Sequence, residues 1–97
     1  SQPSKLVIDI PLFEHLGPAV GLLRKSARKV KLYEIIKKSP TPLTVDRMVR
    51  YMGTTDKAVY AQLKPLTDKG LVIKSDGSTY STTTMGDLAY QRWKGSS

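Results

Sequence analysis

The stretch Gly53-Thr54-Thr55-Asp56-Lys57-Ala58-Val59-Tyr60-Ala61-Gln62-Leu63-Lys64-Pro65-Leu66-Thr67-Asp68-Lys69-Gly70-Leu71-Val72 decides the fold of this 97-residue chain. Val59, Leu63 and Leu66 recur at i, i+4 and i+7, a spacing that lines three branched apolar side chains along one stripe of a helix. Thr54 or Thr55 can cap its start, and Asp56 sits where the helix dipole favours a negative charge. The helix then reaches Lys69 before Gly70 stops it. With that stripe buried, a step of about 100° per residue turns Lys57, Ala61 and Lys64 to the opposite face, with Tyr60 and Gln62 on its flanks. Pro65 gives up the amide that would bond the Ala61 carbonyl, which predicts a bend or a weakened last turn.

Immediately upstream, Thr44 can cap a helix in which Val45, Met48, Val49 and Met52 fall at i, i+3, i+4 and i+7, and Gly53 ends it. Downstream, Leu71-Val72-Ile73-Lys74-Ser75 and Thr79-Tyr80-Ser81-Thr82 are β-prone runs around Asp76-Gly77, a pair suited to the positive φ of a tight hairpin turn. A last helix, capped by Thr83 or Thr84, carries Met85, Leu88, Ala89 and Trp93 broadly on one side.

Further upstream, Gly17-Pro18 opens a helix that can run to about Lys38, where Ser39-Pro40-Thr41-Pro42 stops it. Its apolar residues change phase: Val20, Leu23, Ala27 and Val30 share one stripe, whereas Leu32, Ile35 and Ile36 lie nearly opposite. Either the helix breaks near Lys29, or its first half packs on something else, such as a second copy of the chain. Before it, Leu6-Val7-Ile8-Asp9-Ile10 reads as an extended arm closed by Pro11. The expected organisation is thus an arm over residues 1–17, one domain over 18–94 and a disordered tail over 95–97. The fold class is mainly α with a small β-hairpin.

A helix, a short turn at a glycine, a second helix and a hairpin are the plan of winged helix-turn-helix domains. In detail, residues 28 to 93 resemble MarR-like and ArsR-like transcriptional regulators. In those families an apolar residue is followed by Leu at +4, Leu at +7 and Gly-Leu-Val or Gly-Leu-Ile at +11, as Val59, Leu63, Leu66 and Gly70-Leu71-Val72 are here. Tyr80 and Thr83-Thr84-Met85-Gly86 resemble the strand-to-helix segment after the wing. The resemblance implies a double-stranded DNA binder whose recognition helix, about residues 55–69, enters the major groove. Thr54, Thr55, Lys57, Tyr60, Ala61, Gln62 and Lys64 would face the groove, and Ala61 permits close approach. Arg28, Lys29 and Lys31, from a run with Arg24 and Lys25, are candidates for phosphate contact, as are Arg47 and Arg50 on the helix that crosses the backbone in this motif and Lys74 in the wing. The wing is short, and Asp76 sits at its tip, so minor-groove insertion is not expected.

Composition agrees. Sixteen Lys and Arg against eight Asp and Glu give a net charge of +8, a field that favours polyanions. With no cysteine and with His15 the only histidine, no thiol chemistry and no His- or Cys-based metal site is expected, and the scattered carboxylates form no catalytic pair. Neither an enzyme nor a cofactor is expected. No apolar run approaches the roughly 20 residues of a spanning helix, and the start lacks a signal-peptide pattern. The expected setting is the cytoplasm (nucleoid) or nucleus, with no membrane and no secretion. A homodimer is expected through Val20, Leu23, Ala27, Val30 and Trp93, which would set two recognition helices one DNA turn apart. The alternative is a winged-helix module that contacts protein or RNA within a transcription, replication or ribosomal assembly.

Overall fold

A computed structural model describes residues 16–96. The arm over residues 6–10 and His15 lie outside the described residues. The order is α1 (described over 16–25), α2 (Ala27–Lys38), β1 (Leu43–Thr44), α3 (Val45–Met52), α4 (Asp56–Asp68), β2 (Val72–Ser75), β3 (Thr79–Thr82) and α5 (Thr84–Ser96). This is the expected winged helix plan, mainly helical with a small antiparallel sheet.

The phase change upstream is resolved by a break, but at Ser26 rather than near Lys29. Ser26 takes an extended backbone, and its Oγ accepts from the Lys29 amide at 3.3 Å, starting α2 afresh at Ala27. Leu16, Ala19, Val20 and Leu23 of α1 are thereby free to pack on this chain's own core, and all four are buried. α2 is the central helix. Val30, Leu32, Tyr33 and Ile36 are buried on it, spanning an arc of about 160° at 100° per residue, wider than a single packing partner requires.

The helix-turn-helix forms as its caps dictate. Thr44 Oγ1 accepts from the Arg47 amide to start α3, and Gly53 ends it in the left-handed region at φ 64°. Thr55, not Thr54, caps α4, its Oγ1 accepting from the Ala58 amide at 3.2 Å. α4 runs unbroken through Pro65 to Asp68, where the Gly70 amide donates to the Thr67 carbonyl three residues back, tightening the exit.

The sheet order is β1-β3-β2, with Leu43 opposite Tyr80 and Lys74 also opposite Tyr80 on the other side. Sequence reading gave the hairpin but not β1, a two-residue strand just ahead of the α3 cap. The hairpin closes over Asp76, Gly77 and Ser78, a three-residue loop with positive φ at both Gly77 and Ser78. α5 continues to Ser96, so residues 95 and 96, expected as tail, are helical. A single glycine costs a helix only about 1 kcal/mol, too little to end one that is already running.

The base of the hairpin, α5 and α2 meet at one tight point. The Thr83 amide donates to the Leu71 carbonyl, Thr83 Oγ1 donates to the Gly70 carbonyl, and the Gly86 amide donates to Thr83 Oγ1 at 2.9 Å. A methyl on Gly86 would lie 2.3 Å from the Leu71 oxygen and 2.9 Å from the Tyr33 hydroxyl. Tyr33, fully buried, donates to Asp87 Oδ1 at 2.6 Å, which also takes Lys37 Nζ at 3.1 Å. Burial first, and then the bond to the Asp87 carboxylate, hold the Tyr33 phenol protonated well above the ordinary tyrosine range. Tyr90, stacked at a tilt 5.5 Å from Tyr33, donates to Glu34, and its phenol is held protonated chiefly by that bond.

Two outcomes follow. Gly86→Ala must push α5 off the Leu71 carbonyl, an overpacking cost of about 1–3 kcal/mol, measured as a lower urea midpoint at unchanged slope. Above the ordinary tyrosine value of 10.0, the unfolded chain releases a proton that folded Tyr33 keeps, so stability falls as pH rises. Denaturation series at stepwise alkaline pH should show a fall steeper than that of Tyr33→Phe by about 1.4 kcal/mol per pH unit.

Candidate nucleic-acid interface

On α4 the buried stripe is Val59, Leu63 and Leu66, and the face opposite is open. Lys57, Tyr60, Ala61 and Lys64 are exposed there, as are Thr54 and Thr55 at its start. Thr55 has already spent its hydroxyl oxygen on the cap. Lys64 Nζ lies 3.4 Å from Asp68 Oδ2, one turn on, with both side chains largely in water. A pair so exposed is worth no more than about 0.5 kcal/mol, so Lys64 can exchange it for a phosphate at little cost.

Gln62 departs from expectation. It lies only about 60° round the helix from Val59 and is half-buried rather than presented with Lys57 and Lys64. Its Oε1 is out of contact with solvent and has no hydrogen-bond partner among the described residues. Gln62 lines a depression of about 300 Å³ together with Thr54, Arg28 and Lys31, so the structure brings two of the cations expected to meet phosphate to the start of α4. Lys29 is half-buried, the least available of that run.

On its other flank, α4 faces the hairpin across a groove of about 460 Å³ walled by Tyr60, Lys64, Ile73 and Lys74. Ile73 was not singled out from the sequence. It is 54% exposed because the strand alternation that buries Val72 turns the next side chain outward. Arg47 and Arg50 are exposed on α3 and border neither hollow.

The residues expected at a dimer interface fall differently. Val20, Leu23 and Val30 are buried within the single chain, because the break at Ser26 lets α1 fold back, whereas Ala27 is exposed and Trp93 half-buried. Leu23, Ala27, Val30 and Trp93 nevertheless wall one surface groove of about 530 Å³ among α1, α2 and α5, and Val20 lies outside it. Among the described residues no group of acidic or histidine side chains could hold a metal, and no helix is long and apolar enough to cross a membrane.

No protein-family model matches the sequence, and no curated protein is similar to it. Solved structures are similar. The multiple antibiotic-resistance repressor MarR of Listeria monocytogenes superposes with a TM-score of 0.68 at 16% identity, over 97% of this chain and 67% of that one. The Mycobacterium tuberculosis transcriptional regulator MosR, solved in complex with DNA, gives 0.65 at 19% identity, over 98% of this chain and 76% of its own. A MarR family protein of the same organism, also solved with DNA, gives 0.64 at 19%, over 92% and 72%. At such identities the likeness is one of fold, and it meets the resemblance read from Val59, Leu63, Leu66 and Gly70-Leu71-Val72: the chain has the winged helix-turn-helix fold of MarR-family structures.

Proposed function

We propose that this chain binds double-stranded DNA as a small, non-enzymatic transcription regulator, with α4 in the major groove. One observation carries the reading. The face of α4 opposite its buried stripe presents Lys57, Tyr60, Ala61 and Lys64 to solvent, with Arg28 and Lys31 on one flank and Lys74 on the other. A convex helix with a small residue at its centre and cations on both sides has the shape and sign of charge that a duplex groove accepts. Two of the similar structures were solved with DNA, which supports the same use of the fold here. Arg47 and Arg50 add phosphate contacts from α3. The named sources of the similar structures are bacterial, which favours a cytoplasmic setting over a nuclear one.

A homodimer completes the proposal, with the Trp93 groove as its seam, since paired recognition helices read half-sites one turn apart. A second reading, a protein-facing use of the same surface, is favoured by exposed Tyr60 and Ile73 on either side of the α4–hairpin groove.

Anisotropy of a labelled random-sequence duplex, titrated at several salt concentrations, separates the two. DNA binding gives a steep negative slope of log affinity against log salt. Lys57→Ala with Lys64→Ala makes that slope shallower by about 0.9 for each phosphate that is no longer neutralised. No binding at low salt sinks the DNA reading. Sedimentation equilibrium tests the dimer: a concentration-dependent doubling of mass that Trp93→Ala weakens is expected, and monomer at every concentration would remove it.

A further inference from the structure

We propose that the groove between the second half of α2 and the end of α3 docks an acidic, apolar peptide segment of a partner protein. The groove holds about 390 Å³ and is lined by Lys31, Ile35, Lys38, Ser39, Pro40 and Tyr51. Its middle is apolar. Ile35 is half-buried, Pro40 is exposed, and Tyr51 at 57% is the most exposed large aromatic or aliphatic side chain among the described residues. A lone surface tyrosine needs no explanation; here Ile35, Pro40 and Tyr51 share one concavity.

Its ends are cationic. Lys31 and Lys38 stand seven positions apart on α2, about 10 Å along the axis, with Ile35 between them on the same face. Neither is ion-paired among the described residues, and no carboxylate lines the groove. A positive charge at each end of an apolar floor suits a segment whose carboxylates flank one or two apolar side chains. Single-stranded nucleic acid fits less well, since it needs successive aromatic platforms and the floor offers one tyrosine beside Ile35 and Pro40. No residue of α4, β2 or β3 contributes, and Lys31 alone is shared with the depression at the start of α4.

The experiment uses the whole chain and a fluorescent peptide in which glutamate alternates with leucine and phenylalanine. Because Lys31 also borders the depression at the start of α4, the variants are Tyr51→Ser and Lys38→Glu. Both sites are exposed, and circular dichroism checks that each variant folds. Peptide binding is expected to weaken about tenfold in each, to be unaffected by Lys57→Ala, and to vanish when lysine replaces glutamate in the peptide. Duplex binding by Tyr51→Ser, which changes no charge, stays unchanged. The proposal is overturned if the peptide does not bind or binds the variants equally. It is also overturned if Tyr51→Ser instead releases an oligothymidylate, or if it dissolves a self-association seen by sedimentation.

Discussion

The structure hangs on the contact of the first turn of α5 with the Leu71 carbonyl. That oxygen takes the Thr83 amide, and only a residue without a side chain can stand at position 86 beside it and under the Tyr33 hydroxyl. The Leu71 amide donates in turn to the Leu66 carbonyl at 2.9 Å, so the exit of α4, the base of the hairpin and α5 are joined through one residue. Tyr33 and Lys37 close the arrangement from α2 by sharing Asp87. The angle between the outward face of α4 and the wing is therefore fixed by a few backbone bonds, not by the wing's own short ladder. The two walls of the α4–hairpin groove, Tyr60 and Lys64 on one side and Lys74 on the other, are set by that arrangement.

Much of the positive charge lies at the surface: Arg47, Arg50, Lys57, Lys64 and Lys74 are all exposed. Of the pairs Lys37–Asp87 and Lys64–Asp68, the first joins distant parts of the chain and the second joins neighbouring turns of one helix. An exposed i,i+4 pair is too weak to hold Lys64 against a phosphate, whereas Asp87 is also bound by a buried phenol and keeps Lys37 in place. The excess of eight positive charges is thus a field directed outward, and its interaction with any polyanion should decay with salt over a Debye length of about 10 Å at moderate ionic strength. Lys31 and Lys38 draw on the same excess along α2, Lys31 beside the start of α4 and Lys38 away from it.

How much could be read from the sequence depended on how local the cause was. α3, α4 and the hairpin follow from caps, glycines and apolar spacing within each segment, and the outward placement of Lys57, Ala61 and Lys64 follows from the stripe they oppose. What the sequence hid was decided by distant neighbours. The Ser26 break rests on a serine that by itself is compatible with a helix interior, so the phase change left open a break near Lys29 or packing on a second copy. β1 exists because Tyr80 of β3 offers Leu43 a partner. On α5 the buried arc runs through Gly86, Ala89, Tyr90 and Trp93, and it leaves Leu88 exposed, although Leu88 is the most apolar residue there. Met85, Ala89 and Trp93 pack on the core as expected, and Leu88 alone of that set does not. The small Gly86 was needed for close approach, and Tyr90 could be buried once Glu34 took its hydroxyl.

Pro65 shows how a local rule can be broken without breaking the element. It removes the amide that would satisfy the Ala61 carbonyl, but Ala61 faces solvent, where water can replace the missing bond. Beyond it, the Lys69 amide still donates to the Pro65 carbonyl, and Thr67 Oγ1 bonds back to the Leu63 and Lys64 carbonyls. The helix therefore survives to Asp68 with its gap on the face opposite the core.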